Sequence, residues 1–276
     1  MSDKDINYRK MWEDLGADAG RGYHEIKFRP TYRIGLTNFL REEVIYKFLA
    51  PEKDDVVLDI GCASGRQIFK IANQIKEGHG IDIAESFISE ANDHKAKLGL
   101  KNVFFRRAEG ERIPYEDNTF NKIICAEVLE HVFDHNAFLT EMLRVLRPGG
   151  LLVLSVPNLN ADGTLWGRFL RFIGVRKFVP ITDFSHAGIK AHGDAHVREF
   201  TKKTMTEWLA TRELKVEDAK TASFINGPYF DFLLKVPLHI SPLRWGTIWF
   251  ERILTYLNLN LGRQLIVKAV RIDTIE

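Results

Sequence analysis

Cysteine is scarce in this chain: there are two, Cys62 and Cys125, in 276 residues. Two thiols cannot build the disulfide framework of a small secreted scaffold, and no Cys/His cluster offers a structural zinc site. Both fall at the ends of expected core strands, which suits reduced thiols in a cytoplasmic protein. Net charge is nearly absent as well. A formal +2 and a pI near 8.4 are too mild to imply a nucleic-acid partner, and no extended basic stripe is present. No uncharged apolar run approaches the roughly 18–20 residues that span a bilayer. The start, Met1-Ser2-Asp3-Lys4-Asp5, is polar and lacks a signal-peptide pattern. Internal repeats and low-complexity tracts are missing too. What remains is length enough for one sizeable core with insertions.

The chain is organised around Val56-Val57-Leu58-Asp59-Ile60-Gly61-Cys62-Ala63-Ser64-Gly65. A buried strand runs into an acid, then a tight turn, then the amphipathic helical pattern Arg66-Gln67-Ile68-Phe69-Lys70-Ile71-Ala72. Gly61 and Gly65 permit backbone dihedrals and close approaches that a side chain would block, so a ligand can lie over the turn. About twenty residues on, a second strand, Gly78-His79-Gly80-Ile81-Asp82-Ile83, also reaches an acid, placed to suit the hydroxyls of a ribose. The turn has neither the Lys-Ser/Thr ending of a P-loop nor the third Gly of a dinucleotide fingerprint.

Strand and helix patterns alternate along the core. Strands are expected at 55–60, 78–83, 102–107, 119–126 and 150–156, and helices at 64–76, 85–98 and 134–147. A helix over 36–50, stopped by Pro51, precedes them; a helix at 201–211 and strands at 215–222 and 264–271 follow. Such alternation requires a parallel sheet with helices on both faces.

The Asp59–Gly65 turn followed by Asp82 resembles the class I S-adenosylmethionine (SAM) dependent methyltransferase family, over about residues 50–157. The resemblance implies an α/β, Rossmann-like fold: a seven-stranded, mostly parallel sheet closed by an antiparallel terminal hairpin, with helical lid insertions. It implies that S-adenosyl-L-methionine is held by Asp59, Gly61, Cys62, Ala63, Gly65, Asp82, Ile83, Glu109, Ala126 and Glu127. In the family an acid near Glu109 bonds the adenine amino group, and Ala63 stands where Gly is commonest. Residues 1–50 would form an N-terminal arm and helix covering the cofactor site, and residues 51–276 the methyltransferase domain. Insertions at about 158–195 and at 223–262, the latter irregular and aromatic, are expected to stand over the strand C-termini as one lid.

After the fourth strand comes Ala126-Glu127-Val128-Leu129-Glu130-His131-Val132. If a helical turn starts there, Glu127, Glu130 and His131 project on one side and repel unless something positive compensates. The Glu-x-x-Glu-His run and the remote His196 resemble ubiquinone-biosynthesis O-methyltransferases and small-RNA 2′-O-methyltransferases. The second likeness implies a Mg²⁺ or Zn²⁺ ion on Glu127, Glu130, His131 and His196, with His192 and His186 as alternates for the fourth ligand. Such an ion would lower the pKa of an acceptor hydroxyl. Without metal, His131 serves as general base, with Glu130 beside it, or the run only braces the cofactor loop.

No Asn/Asp-Pro-Pro-Tyr run follows the fourth strand and no Cys stands where C5 methylation needs one, which disfavours amino methylation of DNA; transfer to oxygen, rather than to carbon or nitrogen, is what the resemblance implies. The expected acceptor is a small or lipid-linked molecule, with peripheral membrane contact through segment 230–259. Competing readings are a metal-independent C- or N-methyltransferase, a glycan or RNA-end 2′-O-type enzyme, and a SAM-binding scaffold without catalysis.

Overall fold

A computed structural model describes residues 33–158, 200–224, 241–258, 260 and 262–272. Helix α1 (Arg33–Leu49) comes first. Then alternate β1 (Val56–Ile60), α2 (Arg66–Ile71), β2 (Glu77–Asp82), α3 (Glu85–Leu98), β3 (Val103–Arg107), β4 (Phe120–Ala126), α4 (His135–Val145) and β5 (Leu146–Pro157). The described remainder holds α5 (Lys202–Ala210), β6 (Leu214–Ala222), α6 (Ser241–Tyr256) and β7 (Gln264–Arg271).

All seven strands form one sheet in the order β3-β2-β1-β4-β5-β7-β6. The first five run parallel, and β7 is antiparallel to both β5 and β6. This is the expected class I topology. Strand order reverses between β1 and β4, so their C-terminal ends open the crevice where open α/β sheets take ligands.

Alternation along each strand feeds two cores. Leu58, Ile60, Ile123 and Leu152 face α4 and α5, where Phe138, Leu139, Met142 and Met205 are buried. Val57, Ile124, Val153 and Ile266 face the other way, onto Leu36, Leu40 and Ile45 of α1 and Ile68 and Ile71 of α2. α1 therefore covers the sheet directly and is part of the core.

Element boundaries differ from expectation for local reasons. α2 is shorter than the expected 64–76 because Gly65 sits at φ +82 and cannot be helical, and residues 72–74 tighten into a 3₁₀ turn. β5 begins earlier than expected, because Leu146 already pairs with Phe120 before the Gly149 turn at φ +71. Residues 241–256, expected to be irregular, are a helix. Its periodicity is hard to read because Thr247, Glu251 and Thr255 lie on the inner side while aromatic residues lie outside.

Candidate functional site

The turn after β1 is built by tethers from both sides. The Gly61 and Cys62 N–H groups donate to the Ile81 carbonyl at 2.8 and 3.0 Å. Gly61 has φ +73, and a Cβ there would lie 2.2 Å from Cγ2 of Val128. The chain after β4 thus presses onto the turn. Gly65 is packed as closely: a Cβ would lie 2.6 Å from the Phe105 ring. Ala63 takes φ +45, left-handed territory that favours glycine. Its N–H donates to Asp82 Oδ2 at 2.9 Å, while the Ala84 N–H donates to Asp82 Oδ1 at 2.9 Å. Asp82 therefore braces the turn, and each oxygen keeps a lone pair for a further donor. Burial pushes its carboxyl up, against the pull of these backbone N–H groups.

Asp59 is fully buried, and neither of its carboxylate oxygens has a hydrogen-bond partner among the described residues. Burial pushes its carboxyl well above the usual range, and the negative charges of Asp82 and Glu42 push the same way. Unpaired buried acceptors are rare because they carry a desolvation penalty, and they mark places where a donor or cation belongs. Glu42 on α1 is itself buried. Arg66 grips it with Nε at 2.9 Å and Nη2 at 3.2 Å, and Lys70 adds Nζ at 3.3 Å. That clamp fixes α1 to α2 beside the turn. Tyr46, one helical turn on, stands close enough for Glu42 and Asp59 to raise its phenol beyond what burial does.

Across the crevice, Ala126 ends β4 paired with Ser155, and Glu127 takes φ +58. The Glu127 N–H donates to the Ser155 carbonyl at 2.8 Å, and Ser155 Oγ donates to Glu127 Oε1 at 3.2 Å. Arg41 of α1 reaches the other oxygen, with Nη1 3.3 Å from Oε2. Leu129–His131 then forms a 3₁₀ turn. No α-helical turn begins at Glu127, so the expected i, i+3, i+4 face does not form. Glu130 is buried, its Oε1 3.8 Å from His131 Nε2 and its Oε2 without a hydrogen-bond partner. Burial holds the Glu130 carboxyl well above its ordinary range, and the charge of Glu127 adds to this.

The expected ligand set for a divalent ion therefore does not assemble among the described residues, where no group of three or more His, Cys, Asp or Glu could hold a metal. The compensating positive charge is present in another form, the Arg41 guanidinium. His196, His192 and His186 lie outside the described residues, as does the insertion expected at about 158–195 apart from Asn158.

Glu109 lies in the loop after β3, whose Ala108 N–H donates to the Asp82 carbonyl at 2.9 Å. Ile83, Ala108 and Glu109 line a groove of about 830 Å³, with Arg107, Arg112 and Pro114 among the other walls. Asp59, the Gly61–Gly65 turn, Asp82, Ile83, Ala126 and Glu127 thus share one end of the sheet, and Glu109 joins them through its loop. Arg41, Glu42 and Ser155 belong with them and were missed. Arg41 and Glu42 sit in a helix whose only visible signal was apolar spacing, and the polarity of Arg-Glu pairs on it reads as solvated surface.

The methyltransferase-domain family model matches residues 51–203. A ubiquinone biosynthesis O-methyltransferase of Bartonella tribocorum is 32% identical over 149 residues, covering 51% of this chain and 59% of that protein. A 27-O-demethylrifamycin SV methyltransferase of Amycolatopsis mediterranei is 29% identical over 188 residues, covering 62% and 68% respectively. The chain spans little more than half the length of the first of these. Among solved structures, a SAM-dependent methyltransferase from Aquifex aeolicus has a TM-score of 0.53 at 17% identity, covering 89% of this chain and all of its own.

Proposed function

This chain belongs to the class I SAM-dependent methyltransferase family, and from that premise we propose that it transfers a methyl group from SAM to a hydroxyl oxygen of a small or lipid-linked acceptor. The observation that carries the proposal is Asp59: a buried carboxylate with two unpartnered oxygens, under a turn braced by Asp82, at the point where strand order reverses. A cationic nucleoside fits this donor-poor, acceptor-rich crevice. Asp82 offers its remaining lone pairs to ribose hydroxyls, and Ile83 and Glu109 flank the base. Bound SAM supplies an electrophilic methyl on sulfur. The protein's part is to orient the acceptor and take its proton.

His131 is the base for that proton in our reading, with Glu130 Oε1 3.8 Å from its Nε2. Arg41 holds Glu127, whose other carboxylate oxygen takes the Ser155 hydroxyl, so a guanidinium stands beside the carboxylate in this reading. Transfer to oxygen is favoured by the similarity to relatives named as O-methyltransferases. The N-terminal helix α1 covers the cofactor site on this view, through Arg41 and Glu42.

The test is a radiolabelled methyl-transfer screen against phenols, quinols, sugars and RNA, run beside calorimetry with S-adenosylhomocysteine. His131→Gln is expected to lower transfer by about a hundredfold or more while homocysteine-nucleoside binding persists. Label on nitrogen or carbon alone would discard oxygen transfer. Asp82→Ala with unchanged affinity would remove Asp82 from the cofactor site.

A further inference from the structure

Helix α6 is packed with its polarity reversed. Its one acid, Glu251, is fully buried and accepts a hydrogen bond from the Phe224 N–H at 2.8 Å, where the chain leaves β6. Ile248 enters the same core as α1, and Arg252 pairs with Glu43 of α1. These anchors fix the rotation of the helix. The outward face is then Trp245, Trp249, Phe250 and Tyr256, continued past the helix end by Leu257, with Trp245 54%, Trp249 64% and Tyr256 77% exposed. Turning that face inward would require breaking the Phe224 bond and exposing a carboxylate that now finishes the sheet edge.

From this arrangement we infer that the outer face of α6 docks on a lipid bilayer surface bearing anionic headgroups. Three features select that occupant. With Glu251 inside and Arg252 paired to Glu43, the charge left at the border of this face is the half-buried Arg244 beside Trp245, whose sign complements anionic headgroups. Two Trp and a Tyr give the face the rings with polar edges that settle at the headgroup boundary. A second copy is a poorer match. Sixteen residues make a helix about 24 Å long, and a stripe about 10 Å wide offers about 240 Å² per copy, against about 800 Å² per partner in a stable interface. A helix lying in the interface plane needs no such area, since its apolar face enters the acyl boundary directly. The helix does not span: no helix among the described residues is long and apolar enough to cross a membrane.

The proposal rests on α6 alone and stands or falls apart from the methyl-transfer reading. The full chain is floated with phosphatidylcholine vesicles containing or lacking phosphatidylglycerol, at low and high salt, while tryptophan emission is recorded and sedimentation reports oligomeric state. Flotation with the anionic vesicles and a blue shift of emission are expected. The double variant Trp245→Ser/Trp249→Ser should lose more than about tenfold in partitioning while keeping its binding of S-adenosylhomocysteine. Arg244→Gln should weaken partitioning to anionic vesicles and leave neutral ones unaffected. Absence of flotation at low salt overturns the proposal, and so does flotation that survives the double Trp substitution. A dimer dissolved by the same substitution would assign the face to a second copy instead.

Discussion

Replacing Arg41 by Met takes the guanidinium away from Glu127, which stands close to the buried Glu130. Because the Arg41 and Glu127 side chains are mostly buried, the loss of stability should be about 3 kcal/mol by urea denaturation. The double variant Arg41→Met/Glu127→Gln should recover much of it, a coupling that an independent surface pair would not display. Asp59 acts in the opposite sense to a stabilising carboxylate. Its folded pKa is raised, so the native state holds its proton more tightly than the unfolded chain does. That contribution is fully present below the unfolded value, about 4, and is lost as pH rises through the folded value. Asp59→Asn should therefore raise the melting temperature of the ligand-free protein by about 2–4 °C near neutral pH, flatten its pH dependence, and weaken S-adenosylhomocysteine binding. Equal melting curves for both proteins from acid to neutral pH would contradict this.

Among the elements, the β1 turn separates two kinds of small residue. Ala63 lies at φ +45 with its N–H tied to Asp82. Ala63→Gly should stabilise the protein by about 1 kcal/mol, since the left-handed penalty exceeds the entropy that glycine adds. Gly61→Ala should do the reverse and abolish binding, because the added carbon has no room beside Val128. The same elements explain what was legible in advance. The apolar run of β1 around Asp59 announces itself by length and its flanking turn, the short β2 by its spacing from that turn and its closing Asp82, and the amphipathic α3 by Gly99 closing it in the left-handed region. The Glu127–His131 segment does not, because helical spacing gave no hint that Glu127 would take a left-handed backbone and bend its side chain to Arg41. α6 escaped for a different reason. Its buried side is polar and its exposed side aromatic, which inverts the pattern that periodicity relies on.

For the molecule as a whole, the Arg41–Glu127 pair predicts that methyl transfer is indifferent to EDTA and to added Mg²⁺ or Zn²⁺; a rate that collapses on chelation and returns with one ion would restore a metal to the site. Sheet order and the antiparallel closing pair followed from alternation and family likeness together. What joins the two halves of the crevice did not, since it depends on a contact between residues 41 and 127 that are remote in sequence. The family match begins at residue 51, a border that runs between α1 and the described elements it grips. A shortened protein starting there would keep every strand, yet it would lack the strut from Arg41 to the β4 exit and the one from Glu42 to α2. The helix ahead of the border is thus a keystone spanning both banks of the cleft, and excising the domain by its homology limits would let the banks drift apart.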